Sequence, residues 1–261
     1  MGEPWRSIRL YWLLQRAMAR SAMQYRANAL ISVATGAVYQ GSGFAFIWVI
    51  MNTFPSLAGW SLRDVAFLYG LRLTAHALWL IPMSSLIGIE WLVREGEFDR
   101  FLLRPLNPLV QLMTKRMGVG QIGDLLVGIA LLVAAGHTWT VGSLLFCIAA
   151  ITGGAMVEAA IFLALSSTAL RMTDTYALRV FVDDVFSRFG SYPMKIFGSA
   201  TEWFLTFVLP VAFVAYIPAE VLLGRSTTTL GYFSPLLGIA LFALGYLIWS
   251  RQLRHYQSVG H

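Results

Sequence analysis

Long apolar runs separated by short charged segments are the feature that most constrains the fold of this chain. The run at 141–170 contains one charged residue, Glu158. Only 12% of all residues are charged, whereas soluble proteins average about 25%. A single water-soluble core cannot hide this much apolar surface, so the sequence predicts an all-α integral membrane protein.

Six transmembrane helices are predicted, because a helix needs roughly 20 apolar residues to cross a bilayer. Five of the passes are placed at 28–52, 64–89, 110–135, 141–170 and 231–250. The region between the last two is harder to assign, because 171–192 is helical in pattern but polar, whereas hydropathy alone favours 196–217. We favour a polar fifth pass at 171–192.

A short re-entrant hairpin is then expected at 192–223, which is apolar but interrupted by Pro193, Pro210 and Pro218. Breaks at membrane depth are tolerated only where the backbone is buried in protein or lines a cavity.

Opposite charges four residues apart would allow 171–192 to be buried against other helices. Arg179 with Asp183, and Asp184 with Arg188, have this spacing, at which side chains on a helix can pair. The alternative is a cytoplasmic helix.

The N-terminal segment 4–26 is predicted to be an amphipathic helix in the membrane interface. Trp5, Ile8 and Trp12 recur at helical spacing with arginines between them, a pattern that favours this position. The alternative is a basic flank of the first pass. The segment is too long and too polar for the apolar core of a cleavable signal peptide, so none is expected.

Basic residues indicate the orientation. With the N-terminus inside, fifteen of the nineteen Lys and Arg residues fall on the inner side, and such an excess marks cytoplasmic segments. We therefore expect a multi-pass protein of the cell inner (plasma) membrane with both termini in the cytoplasm. Residues 1–261 are predicted to form a single transmembrane domain.

The sequence contains none of the common catalytic or metal-binding motifs that we sought. The two lysines, Lys115 and Lys195, do not follow P-loop spacing. Four histidines and one cysteine show no metal-ligand spacing, and Gly-x-Ser-x-Gly does not occur. We expect no catalytic residues, metal site or bound cofactor in this chain.

A few ionisable residues lie within predicted spans. Glu158 is a functional candidate because of its depth, with a structural contact to a neighbouring helix as the alternative. Arg72 and His76 lie one helical turn apart, and snorkelling to the outer headgroups is favoured over substrate contact. Asp124 is expected to meet interfacial water or a basic partner.

The insert at 94–108 interrupts the apolar pattern between the second and third passes. Acidic and basic residues alternate there, Phe98 and Phe101 provide an apolar face, and Pro105 and Pro108 stop the helix. The pattern predicts a short amphipathic helix. It is either a solvated connector or a docking helix whose aromatic side chains enter a groove on a soluble subunit.

Two stretches of the sequence, one of them in the insert, resemble signatures of a known protein family. The run 96–108, GEFDRFLLRPLNP, resembles the G-x-x-D-x-x-L-x-R-P-x-N-P signature of the ABC-2-type transporter permeases. A second stretch is similar to another signature of that family: YPMKIF at 192–197, FVLPVAF at 207–213, then Tyr216, Pro218, Ala219 and 222–224.

The resemblance implies the membrane subunit of an ABC exporter with the type V exporter fold. It implies an interfacial helix at 4–26, a cytoplasmic coupling helix at 91–108 and an extracellular re-entrant hairpin at 192–223. Two copies of a separate cytoplasmic ATPase would bind ATP and magnesium, and a second permease, identical or related, would complete the complex. This chain departs from the family's pattern at one point, because its fifth span carries unusually many charged residues.

Two sets of functional residues follow from this resemblance. The residues expected to couple to the ATPase are Glu95, Glu97, Phe98, Asp99, Arg100, Phe101, Arg104, Pro105, Asn107 and Pro108. The candidates for the pathway or gate, for which packing or lipid contact is the alternative role, are Tyr39, Phe46, Trp48, Glu158, Pro193, Phe204, Pro210 and Pro218.

The pathway is expected at the interface of two permeases, lined by the first, second and fifth passes. Glycines of the first pass, Gly36, Gly41 and Gly43, would build that interface. A stand-alone secondary transporter or channel is the competing class, and it would need a relay of intramembrane ionisable residues. Substrates in reach of such a pathway include amphipathic drugs, dyes, lipids and peptides.

Overall fold

The protein is helical throughout the residues that the structure describes, which are 4–54, 56–172, 175–226 and 229–257. In this computed structural model these residues form twelve α-helices, joined by turns and short 3-10 segments. The helices are α1 (Pro4–Gln24), α2 (Arg26–Thr53), α3 (Leu62–Met83), α4 (Ile89–Arg94), α5 (Asp99–Leu102), α6 (Pro108–Met113), α7 (Gln121–Ala134), α8 (Val141–Thr168), α9 (Tyr176–Phe189), α10 (Ser199–Phe207), α11 (Tyr216–Leu222) and α12 (Ser234–Arg254).

Four helical stretches among the described residues are long and apolar enough to cross a membrane. They are Arg26–Thr53, Leu62–Arg94, Val141–Thr168 and Gly231–Arg254. The passes predicted at 28–52, 64–89, 141–170 and 231–250 fall on them. A fifth candidate is the bent pair formed by α10 and α11.

The predicted third pass at 110–135 is not one helix. Residues 108–113 form the short α6, and the apolar helix α7 begins only at Gln121 and contains 14 residues. Between them the Gly118 N–H donates to the Ile81 carbonyl at the end of α3. This backbone bond to another helix interrupts the i to i−4 pattern that a continuous helix would need.

After α8 the chain forms a polar helix and then a broken apolar one, and the assignment of the polar helix as the fifth pass stays a prediction. The polar stretch contains α9, and no continuous straight helix covers 196–217, because α10 and α11 differ in direction by 76°. The bend lies at Pro210, which has no N–H to donate. The N–H groups of Val208 and Leu209 both donate to the Phe204 carbonyl, which ends α10.

Helices pack closely at glycines inside the chain. A Cβ on Gly238 of α12 would lie 2.2 Å from the Gly153 carbonyl oxygen of α8, and one on Gly36 of α2 would lie 2.3 Å from the Gly120 carbonyl oxygen. Gly43 abuts the Tyr69 hydroxyl, while Gly41 has no atom within 4 Å. Gly36 and Gly43 therefore serve contacts within the chain rather than the predicted interface between permeases, and only Gly41 lies open.

The N-terminal segment forms the predicted helix, α1, and the Gln15 side-chain amide donates to the Met113 carbonyl. This bond brings α1 to the end of the bundle where α6 lies. The side chains of Trp5 and Ile8 lie outside the described residues, and the interfacial position of α1 stays a prediction.

Candidate functional site

The insert, a name that from here on covers the whole segment 84–120 between α3 and α7, is folded into short pieces rather than the single helix predicted for 91–108. Gly96 has a φ of +69°, a left-handed conformation that glycine adopts without strain. This allows the N–H groups of Gly96 and Phe98 to donate to the carbonyls of Val93 and Leu92, a common helix-ending arrangement. One turn of helix, α5, follows, and Asn107 caps α6 by accepting from the Leu109 N–H.

Phe98 fixes the insert to the C-terminal end of α12. Its side chain is fully buried, with ring centroids 5.2 Å from Tyr256, 5.7 Å from Phe101 and 6.3 Å from Trp249. The prediction that this ring enters a groove on a soluble subunit is therefore wrong. The ring is occupied within the chain, where it makes the insert and α12 one packed unit.

Hydrogen bonds strengthen the same attachment. The Tyr256 hydroxyl donates to Asp99 Oδ1 at 2.9 Å, and Asn107 Nδ2 donates to the Tyr246 hydroxyl at 3.1 Å. Burial and the bond to Asp99 raise the pKa of Tyr256 to about 12. The tyrosine thus stays protonated, and able to donate, across the physiological pH range.

A buried ion pair attaches the insert to α9. Arg179 Nη2 lies 3.2 Å from Glu90 Oε1, and both side chains are largely buried. The predicted pairing of Arg179 with Asp183 is therefore wrong, because the buried carboxylate of Glu90 is the counter-ion of Arg179. The predicted pair of Asp184 and Arg188 is confirmed, with 2.6 Å between Oδ1 and Nε.

The remaining predicted coupling residues divide by exposure. Glu97 pairs with Lys115 across the insert, and this bond lowers the pKa of the Glu97 carboxyl below its usual value. Phe101, Asp99 and Pro108 are half-buried. The exposed residues of the insert are Glu95, Arg100, Arg104, Pro105 and Asn107, together with the apolar Trp91, Leu102 and Leu103.

A cleft of about 1550 Å³ is lined by residues of α1, α2, α3, α7 and α9. Tyr39 and Phe46, both predicted for the pathway, line it, whereas Trp48 and Phe204 do not. The cleft is more polar than the apolar and aromatic pathway expected from the sequence, since its lining residues include Gln40, Arg72, His76, Asp124, Asp183 and Ser187.

Behind the cleft, Glu158 is completely buried in α8. Its Oε2 lies 2.7 Å from His76 Nδ1 and accepts from Trp79 Nε1 at 2.5 Å, while no hydrogen-bond partner among the described residues reaches Oε1. The glutamate thus joins α8 to two residues of α3, and its second oxygen remains unpaired.

Arg72 does not snorkel to the outer headgroups. It is only 3% exposed, and its Nη2 donates to the Ser187 hydroxyl of α9 at 3.1 Å. Asp124 is also buried, next to the Gln40 side chain at the wall of the cleft. Periodicity in single helices gave no sign of these contacts, because they join helices far apart in the chain.

The predicted gate region lies at the opposite end of the bundle from the insert. Pro193 precedes a 3-10 segment, Pro210 lies at the bend, and Pro218 occupies the first turn of α11, where a proline is tolerated. Two ion pairs hold this region, Lys195 with Glu220 at 3.3 Å and Arg225 with Asp64 at 2.6 Å.

Comparison with known proteins agrees with this geometry. The sequence model described as "ABC-2 family transporter protein" matches residues 37–260, which include the insert, the bent region and most of the residues that line the cleft. No curated protein and no solved structure matches the chain. Because the family match covers most of the sequence, this membrane protein belongs to the ABC-2 family of transporter proteins.

Proposed function

We propose that this chain is the permease subunit of an ABC exporter, which forms the substrate pathway and is driven by a separate cytoplasmic ATPase. It would cross the inner (plasma) membrane six times, through α2, α3, α7, α8, α9 and α12. The bent pair of α10 and α11 would enter from the outer side as a re-entrant hairpin.

The observation that carries this proposal is the double attachment of the insert. Phe98 and the bond between Asp99 and Tyr256 fasten it to α12, and the pair of Glu90 and Arg179 fastens it to α9. A force applied to its exposed face would therefore move two membrane helices, one of which lines the cleft. This is the arrangement that a coupling element needs.

Charge distribution supports a cytoplasmic position for that face. Hydrogen bonds place the basic α1, the insert and the end of α12 at the same end of the bundle. A cytoplasmic assignment for this end puts fifteen of the nineteen Lys and Arg residues inside, and both termini with them.

ATP hydrolysis would take place on a separate partner subunit. The sequence has no P-loop, so ATP and magnesium would bind in two copies of the ATPase, whose closure would push on the insert. Arg100 and Arg104 are the exposed cations available to meet acidic groups on that subunit, whereas Phe98 would transmit the movement from within.

A second permease, identical or related, would cover α2. Only Gln40, Ile47 and Met51 are buried among the 28 residues of α2, and the cleft opens along this helix. The pathway would then lie between the two permeases, with the α10–α11 region as its outer gate.

Copurification tests the proposal. The chain is expressed together with the ABC-type ATPases of its source organism, and the amount of ATPase retained on the purified chain is measured. Arg100→Ala combined with Arg104→Ala is expected to abolish retention and ATP-dependent export. The matched control, Arg63→Ala combined with Arg225→Ala, removes two cations from the opposite end and should retain the ATPase. Equal retention by both double variants would refute the docking role.

One observation favours a second candidate, an ion-coupled secondary transporter. Glu158, His76 and Arg72 bring three ionisable side chains together within the helices, as a relay would require. Transport by the chain alone in proteoliposomes, driven by a proton gradient without any ATPase, would favour this candidate over the exporter.

A further inference from the structure

Arg72 is the most deeply buried basic residue lining the cleft. It lies in α3 with 3% of its surface exposed. A guanidinium carries five N–H donors, yet the contact from Nη2 to Ser187 is the one hydrogen bond found for it, and Nε has no partner among the described residues. Donor capacity is therefore unused at the wall of the cleft.

The charge of Arg72 also lacks a close counter-ion. No carboxylate of a described residue lies within 4 Å of it. Among the acids around the cleft, Glu158 pairs with His76 and Asp184 with Arg188, whereas Asp124 and Asp183 line the cleft without an ion pair to the guanidinium. A buried charge in a membrane helix is costly unless it is paired, so an anion that accepts directly from the free N–H groups of Arg72 would be stabilised there.

The walls of the cleft indicate what carries this anion. His76, one turn from Arg72, also lines the cleft, with Nδ1 occupied by Glu158 and Nε2 as its remaining polar atom. Tyr39 and Phe46 of α2 line the same cleft and are 72% and 63% exposed. The cleft therefore combines a deeply buried cation with exposed aromatic side chains.

We propose that Arg72 binds the acidic group of an amphipathic substrate, whose apolar part lies along Tyr39 and Phe46. The group is a carboxylate or a phosphate, since a guanidinium matches both in a two-pronged geometry. This inference rests on the proposed export function, and it names the substrate class of that cleft.

Binding to the purified chain in neutral maltoside micelles tests the proposal without any ATPase. Decanoate and decyltrimethylammonium have tails of similar length and opposite charge, and acetate and inorganic phosphate represent small soluble anions. Each apparent dissociation constant is obtained from the rise in the midpoint of thermal unfolding with ligand concentration. The wild-type chain is expected to bind decanoate about tenfold or more tightly than decyltrimethylammonium, as a charge-assisted hydrogen bond to a buried guanidinium would provide.

Variants assign the preference to one side chain. Arg72→Gln should abolish it, whereas Arg188→Gln, at an exposed arginine of the same cleft, should change the decanoate constant by less than about twofold. Arg72→Lys keeps the charge without the two-pronged geometry, so it should bind less tightly but still prefer decanoate.

Several outcomes would overturn the inference. Equal or tighter binding of decyltrimethylammonium by the wild type contradicts an anion site, and this comparison needs no variant to fold. Loss of the preference in Arg188→Gln instead of Arg72→Gln places the site elsewhere. Binding of acetate or phosphate as tight as decanoate removes the amphipathic part of the proposal. A failure of ATPase copurification would leave all of these binding results unchanged.

Discussion

The α8–α12 side of the molecule and the α2 side differ in how firmly their helices are held. On the α8–α12 side, backbones meet at Gly153 and Gly238, and the insert is fastened to the end of α12. On the α2 side, contact is confined to a few positions such as Gly36, and most side chains face outwards. Because α2 and α12 are both apolar enough to cross a membrane, their hydropathy does not reveal this difference in packing.

The difference indicates which side of the molecule is fully packed within one chain and which side leaves helix surface uncovered. The α8–α12 side has satisfied its packing within one chain and can act as a rigid arm. The α2 side borders the cleft and exposes aromatic side chains, as expected of a surface that meets a second permease or a substrate. The following paired substitutions test this contrast, from the largest expected effect to the smallest.

Phe98→Ala and Phe46→Ala compare the same change on the two sides. Loss of the buried Phe98 ring should lower the free energy of unfolding by about 3–5 kcal/mol, because the cavity lies where the insert meets α12. Phe46 is exposed, so its loss should cost less than about 1 kcal/mol. Unfolding in mixed SDS–maltoside micelles measures both values. Similar costs would erase the contrast.

Arg179→Met and Arg188→Met compare two ion pairs of α9. Removal of Arg179 leaves the buried Glu90 carboxylate unpaired and should cost about 3 kcal/mol. The pair of Arg188 with Asp184 is exposed at the cleft, and its loss should cost at most about 1 kcal/mol. The same unfolding assay applies, and a larger cost for Arg188→Met would contradict the assignment of Glu90 as the partner of Arg179.

Gly238→Ala and Gly41→Ala compare close approach with open space. The added methyl group on α12 would meet the backbone of α8 at 2.2 Å, so the helices must separate, at a cost of about 1–3 kcal/mol. At Gly41 no atom lies within 4 Å, and stability should be unchanged or slightly improved through helix propensity. Thermal unfolding of the two variants measures the difference, which an equally stable Gly238→Ala would disprove.

Tyr256→Phe and Tyr39→Phe compare single hydroxyl groups. The Tyr256 hydroxyl donates to Asp99, so its loss should cost about 1 kcal/mol, while loss of the exposed Tyr39 hydroxyl should cost nothing measurable. The pKa of Tyr256 is raised in the folded chain, so this contribution is fully present below pH 10, the ordinary tyrosine value, and is lost as the pH rises toward about 12. Stability of wild type and Tyr256→Phe across this range should converge at the alkaline end.

Sequence patterns predicted the features that single helices express. Helical passes on α2, α3, α8 and α12 followed from long apolar runs, and the break at Pro210 followed from a missing N–H. Contacts between distant segments could not be predicted in this way. Phe98 has the same pattern whether it faces a partner or Tyr256, and Arg179 has an acid at i+4 although its counter-ion lies 89 residues earlier, at Glu90.

The third pass shows the same limit. The sequence predicted one pass from Val110, but α6 ends at Met113, and the Gly118 N–H then bonds to the Ile81 carbonyl instead of continuing a helix. Only the neighbouring end of α3 supplies that acceptor. The cleft was also missed as a unit, because its lining comes from five separate helices whose facing sides are set by packing.

Crosslinking from the insert tests most directly the claim that it receives the force of a separate ATPase. In a Cys147→Ser background, which removes the single cysteine, a benzophenone reagent is attached at Leu103→Cys, where the side chain is 85% exposed, or at Val141→Cys, where it is 78% exposed at the opposite end. Illumination of membranes that contain the ATPase should yield a crosslinked product from position 103 and none from position 141. A product from position 141 alone, or from neither position while ATP-driven export continues, would contradict the account.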